Sequence, residues 1–157
     1  MNMPETVIVT GYLSQGLRLA EAIACQTERL KLLRESVDRV AALRVREAAV
    51  QGSPSGEAPF VRALRQIWDL QEAIDRDIEL LVRLDRQIDR VIGTLLSPDY
   101  RILLRYRYLS RKTWSQIADR MHVDPSTAKR WHTKAVSLLT LPDDAIWLRE
   151  ETGKYIA

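Results

Sequence analysis

Six side chains within one short stretch, Ser126, Thr127, Lys129, Arg130, Thr133 and Lys134, combine short hydroxyls with long cations. That combination binds rather than catalyses. Hydroxyls near the start of a helix suit base edges or phosphate oxygens, and an arginine can take a guanine edge with two parallel hydrogen bonds. Arg130 is the candidate for that bidentate contact, and Lys129 can serve either a base or a phosphate. Ser126, Thr127, Lys129, Arg130 and Thr133 are therefore the expected recognition residues. Arg111, Lys112, Thr113 and Lys134 are the expected phosphate contacts. From Pro125 to Leu141 there is no Asp or Glu, so the cations here have no acids among them to neutralise.

Other chemistries find little support. His122, His132 and Cys25 are too few and too dispersed for a metal site. No glycine-rich phosphate loop, HExxH or GxSxG pattern occurs. Asp75, Asp77 and Glu79 stand among Arg76 and Arg83 in a helical pattern, which reads as a solvated face and not as a catalytic pair. The expectation is a protein with no enzymatic activity, no cofactor and no metal.

The elements that must position the basic residues follow from punctuation and apolar spacing. Ser97-Pro98 reads as an N-cap followed by proline in the first helical position, opening a short helix over Tyr100 to Leu109. Ser110 to Lys112 forms a turn. Thr113-Trp-Ser-Gln116 has capping-box spacing and starts a helix ending near Met121. Asp124-Pro125 caps and starts another, running through Leu139. Two short helices, a tight turn and a basic second helix describe a helix-turn-helix. With Ala118 as the small residue at the crossing, Ile117, Met121, Val123, Ala128 and Trp131 should fill the wedge, and all five are apolar. His122 occupies the turn position that needs positive φ. Ala128, Trp131 and Ala135 should face inward, leaving the recognition residues outside. Tyr106, Tyr108, Trp114 and Trp131 invite a base-stacking reading, but the spacing of Trp114 and Trp131 makes them core residues.

Upstream, two long helical patterns are joined by a break. The first runs over 13–50, with Ile23, Leu30, Leu33, Val37 and Val40 as its stripe, interrupted by Gln26 and Arg44. Glu35 and Arg39 form an i,i+4 pair in the favourable order. Gln51 to Gly56 concentrates Gly, Ser and Pro, giving an exposed connection over 51–58. The second helix, over 59–96 with Pro59 in its first turn, repeats apolar residues from Phe60 to Leu95, broken by Gln71 and Asp85. That coiled-coil pattern requires a partner stripe. Either the first helix folds back as an antiparallel hairpin, or a second copy supplies the partner. The expected fold is therefore all-α, a long antiparallel helical hairpin or coiled coil followed by a C-terminal helix-turn-helix.

Charge divides along the same lines. Residues 97–141 hold nine Lys+Arg against three Asp+Glu, net +6, while residues 1–96 stand at −1 and residues 142–157 at −2. A positive field concentrated on one unit is the footprint of phosphate-backbone binding. Arg101, Arg105, Arg107, Arg111 and Lys112 are expected to add phosphate contacts, or to pair with acids of the long helices. The expected organisation is an oligomerisation or interaction part over 1–96, a DNA-binding domain over 97–141 and a tail over 142–157, which could form a short packed helix. The longest uncharged stretch, Thr6 to Leu17, is well below the roughly 18–20 residues of a membrane span. No basic residue precedes Arg18, which argues against a secretory signal, and a lone cysteine fits a cytosolic chain.

The stretch from Asp99, DYRILLRYRYLSRKTWSQIADRMHVDPSTAKRWHTKAVSLL, resembles the −35-reading region 4 of bacterial sigma factors. It is closer to small phage-encoded regulators of the RinA/ArpU type, which also carry a helical N-terminal part. The resemblance covers roughly residues 13–139 and is most specific from Tyr100 to Leu139. It implies a transcriptional regulator of phage or prophage genes, an activator, acting in the bacterial cytoplasm. Ser126, Thr127, Lys129, Arg130 and Thr133 match the positions that read DNA in that fold. His122 and the residues after Leu141 inherit no role.

The expected partners are double-stranded DNA, RNA polymerase and a second copy joined through the N-terminal helices, with no membrane. Two other readings compete. One is a small terminase-like packaging subunit, which also joins a helix-turn-helix to a helical oligomerisation part. The other is an adaptor whose basic helix grips an acidic protein.

Overall fold

The computed structural model describes residues 4–51, 57–151 and 154–156. The fold is all-α apart from one small ladder. It contains α1 (Glu5–Gln51), α2 (Glu57–Gly93), α3 (Pro98–Leu104), α4 (Trp114–Met121) and α5 (Pro125–Ser137), with a π-helical turn over Arg105–Leu109 following α3. Near the C-terminus β1 (Arg149–Glu151) pairs antiparallel with β2 (Lys154–Ile156), Glu150 opposite Tyr155. Most of the expected connection, residues 52–56, lies outside the described residues. No described helix is long and apolar enough to cross a membrane.

The chain divides into two compact units, and the division falls elsewhere than at the expected boundary near residue 96. One unit is Glu21–Glu79; the other joins Met1–Ala20 to Leu80–Ala157. In the first, the facing segments of α1 and α2 form an antiparallel hairpin. Leu30, Val37, Ile67 and Ile74 are buried between them, with Ile23, Leu33, Phe60 and Leu64 packed alongside. Two of the polar interruptions of the stripes, Gln71 and Arg44, find partners within the hairpin, whereas Gln26 Oε1 is buried without a hydrogen-bond partner. Gln71 Oε1 accepts from Arg34 at 2.9 Å, its Nε2 donates to Asp75 at 2.9 Å, and the Arg44 guanidinium lies 5.5 Å from the Phe60 ring centre. Gln71 is thus satisfied within one chain and needs no second copy. Ile78, on the same template, is exposed. Among the described residues Glu35 and Arg39 close no ion pair.

The other unit encloses the larger core. Val9, Tyr12 and Leu13 of α1 and Leu84, Ile88 and Ile92 of α2 share it with Leu103, Leu104, Ile117, Ala128 and Ala135. This explains why α1 begins at Glu5 and not at Leu13. Its first turns hold Val7, Val9, Thr10 and Gly11, poor helix formers, yet burial of Val9, Tyr12 and Leu13 outweighs a propensity cost of some tenths of a kcal/mol per residue. At Gly16 a Cβ would stand 3.2 Å from Asp85 Oδ1, so the absent side chain permits close approach of the two helices.

The tail is not a helix. Residues 138–148 run irregularly over this core, with the backbone of 144–148 held by two buried glutamines. Gln87 Nε2 donates to the Asp144 carbonyl at 3.0 Å and its Oε1 accepts from Ile146 N at 2.8 Å. Gln15 Nε2 donates to the Ile146 carbonyl at 3.0 Å and its Oε1 accepts from Leu148 N at 2.6 Å. Tyr12 donates its hydroxyl to Gln87 Oε1 at 2.7 Å and meets the Trp147 ring edge-on at 5.7 Å.

Candidate nucleic-acid interface

The helix-turn-helix is built as its residues require. Ser97 caps α3 by accepting from Tyr100 N, and Pro98 takes the first helical position. At α4 the capping box is complete: Gln116 N donates to Thr113 Oγ1 at 3.2 Å and Thr113 N donates to Gln116 Oε1 at 3.0 Å. His122 adopts φ 55°, ψ 44°, the left-handed conformation expected of the turn, and Val123 N closes it by donating to the Ala118 carbonyl at 3.0 Å. Asp124 holds the N-cap position of α5 with extended backbone, but its side chain makes no capping bond. The helix ends at Ser137, two residues before the expected end.

Ile117, Ala118, Ala128 and Ala135 are buried at the crossing, and Met121, Val123 and Trp131 are half-buried around it. Trp114 and Trp131 belong to this packing: Trp131 lies 6.4 Å from the Tyr100 ring and Trp114 meets His132 edge-on at 5.2 Å.

The segment before α4 departs from the expected single helix over Tyr100 to Leu109. It changes to π-helical pitch at Arg105, where Ser110 N donates five residues back to the Arg105 carbonyl at 2.9 Å. Within that turn Tyr108 is buried, its Oη 2.6 Å from His132 Nε2 in a hydrogen bond whose direction follows the imidazole tautomer. Burial pushes the His132 imidazole down to about 4, with Arg107 adding to the shift. The Tyr108 phenol is pushed up to about 12 by burial, against the opposing effects of Arg107 and Ser14. Both groups are therefore neutral at neutral pH.

Of the expected recognition residues, Ser126, Lys129, Arg130 and Thr133 are exposed on α5, as is Lys134, while Thr127 is half-buried. Arg130 Nη2 donates to Thr127 Oγ1 at 3.4 Å and Thr133 Oγ1 donates to the Lys129 carbonyl at 3.1 Å. Among the described residues no acid pairs with Lys129, Arg130 or Lys134.

The arginines before α4 are differently placed. Arg111, at φ 53°, donates from Nη2 to Asp85 Oδ2 of α2 at 2.7 Å, and from Nη1 to the Leu109 carbonyl. Arg105 pairs with Asp89 at 2.8 Å. Arg101 donates to the Leu95 and Leu96 carbonyls, and Arg107 donates to the Lys112 carbonyl while lying 4.9 Å from the Trp114 ring centre. All four cations have partners within the chain, and a phosphate contact from Arg111 would require it to leave Asp85. Burial holds the Asp85 carboxyl above its usual range despite Arg111, and its Oδ1 is buried without a hydrogen-bond partner. Lys112 is half-buried, and Thr113 is exposed with its hydroxyl proton uncommitted by the cap. The sequence marked Asp85 as an interruption of the α2 stripe; its partner 26 residues on was the hidden part.

Residues 19–140 match the model of a family described as Protein of unknown function (DUF722). The chain belongs to the DUF722 family. No curated protein and no solved structure matched it. The DUF722 match takes in all of α2 to α5. It leaves out both the first turns of α1 and the tail that Tyr12 and Gln15 hold.

Proposed function

We propose that the protein is a sequence-specific DNA-binding transcriptional regulator, without enzymatic activity, that enters the major groove with α5. The observation that carries this reading is the exposed face of α5: Ser126, Lys129, Arg130, Thr133 and Lys134 with no described acid paired to its cations, on a helix-turn-helix closed by a left-handed His122. A surface helix serving only solubility would balance its charge. Since Arg101, Arg105, Arg107 and Arg111 already have partners within the chain, phosphate contacts fall to Lys112, Thr113 and Lys134, and base contacts to Arg130, Lys129 and the hydroxyls. The resemblance to RinA/ArpU-type regulators supports phage or prophage promoters as targets, activation as the outcome and RNA polymerase as a further partner. The second copy belongs to the same proposal.

Selection of bound sequences from a random duplex pool, followed by titration at several salt concentrations, tests it. Binding of the selected duplex is expected to weaken steeply with salt as counterions are released. The double variant Lys129→Ala/Arg130→Ala is expected to lose sequence preference with its helical content unchanged. Unaltered affinity and preference in that variant would remove α5 from the interface. Occurrence of the selected sequence at genome packaging ends, and not upstream of promoters, would favour the terminase-like reading.

A further inference from the structure

The hairpin unit exposes apolar side chains that its own pairing does not use. On α1, Leu32 is 60% exposed, Leu43 57% and Val50 81%, and Cys25 is exposed as well. At about 100° per residue these four fall within roughly 20° of one line along the helix. The buried stripe of Leu30, Leu33 and Val37 lies about 120° away. This second stripe is sparse: Ser36 and Arg39 lie beside it between Leu32 and Leu43, the exposed Val40 and Val45 lie off it, and α2 does not cover it.

Charges beside the second stripe identify the other neighbour. On one flank Glu28 and Glu35 precede Arg39 and Arg46; on the other Arg29 precedes Glu47, and all six are exposed. Each flank thus changes sign along the helix, which makes it complementary to itself when reversed. Glu28, Glu35, Arg39 and Arg46 have no ion-pair partner among the described residues.

We propose that this face of α1 binds α1 of a second copy, antiparallel, about a two-fold axis beside Val37–Asp38. That register sets Leu32 against Leu43 and Cys25 against Val50 of the other copy. It also sets Glu35 against Arg39, Glu28 against Arg46, and Arg29 close to Glu47. A parallel pairing would instead lay Cys25 on Cys25, within reach of a disulfide. A C2 contact of this kind is isologous, so every pair occurs twice. The inference specifies the association proposed above and is independent of whether α5 binds DNA.

The test is oxidative cross-linking of the full chain, together with sedimentation. In the proposed register the two Cys25 residues stand about 37 Å apart, at 1.5 Å per residue, and cannot join. The natural chain is therefore expected to sediment as a dimer without forming a disulfide, whereas Val50→Cys yields a covalent dimer linking positions 25 and 50. Glu35→Arg is expected to weaken the dimer about tenfold, through two like-charge contacts, and adding Arg39→Glu to restore it. All these positions are exposed, so unchanged circular dichroism reports intact helices. Cross-linking of the natural chain through Cys25 overturns the register while leaving association in place, as does a double charge variant no tighter than the single one. A monomer at concentrations near 100 μM overturns association itself.

Discussion

His132 lies on α5 against Tyr108 and Trp114, with Arg107 close by, and its folded and unfolded states differ in proton affinity. The unfolded imidazole titrates near 6.5 and the folded one near 4. Between those values the unfolded chain binds a proton that the native state refuses. The stability conferred by the neutral ring is therefore whole above pH 6.5 and is lost as the pH falls toward 4. The melting temperature should drop across that window, and His132→Gln should flatten the drop. An equally steep fall in the variant would dismiss His132 as its source. At this scale the sequence disclosed residue types better than partners. His122 announced its positive φ by standing where a helix-turn-helix bends. The pairing of Arg111 with Asp85 could not be read, because it depends on how close the turn before α4 comes to α2.

The tail is tied down by Gln15 and Gln87, alongside the packing of Leu141, Ala145, Ile146 and Leu148 on the core and of Trp147 on Tyr12. Each glutamine gives the irregular backbone of residues 144–148 one donor and one acceptor, the partners that a neighbouring strand would otherwise supply. Gln87→Ala would leave the Tyr12 hydroxyl, Ile146 N and the Asp144 carbonyl without their partner. The expected cost is about 2–4 kcal/mol in urea unfolding. A loss below about 0.5 kcal/mol would mean that water replaces the amide without penalty. Helices were legible wherever an apolar period or a cap marked them: α2, α4 and α5 lie within a few residues of expectation. The first turns of α1 were not, since β-branched residues and Gly11 oppose a helix until Val9, Tyr12 and Leu13 find a core. The π-helical turn and the tail were equally hidden, as neither leaves a periodic trace.

At the scale of the molecule, the basic stretch from Ser97 to Leu141 has no core of its own. Leu103, Leu104, Ile117 and Ala135 share theirs with Val9, Tyr12, Leu84, Ile88 and Ile92. A fragment of residues 97–157 is therefore expected to be largely unfolded, without a cooperative thermal transition and without specific DNA binding. A sharp melt of that fragment would establish an independent reader. The charge map marked this basic stretch by composition but could not show that its support comes from both long helices.

The unit that joins Met1–Ala20 to Leu80–Ala157 has a consequence for synthesis on the ribosome. Val9, Tyr12 and Leu13 are made first, yet their neighbours extend to Leu139. At about 5–20 residues per second, roughly 6–25 s separate the two during translation. The hairpin of Glu21–Glu79 is complete within that interval and can fold first, bringing the chain from Leu80 onward back toward the waiting N-terminal turns. The nascent chain thus keeps this apolar segment only partly covered, by α2, until residues 103–139 emerge, a period in which a chaperone or a premature contact would compete for it.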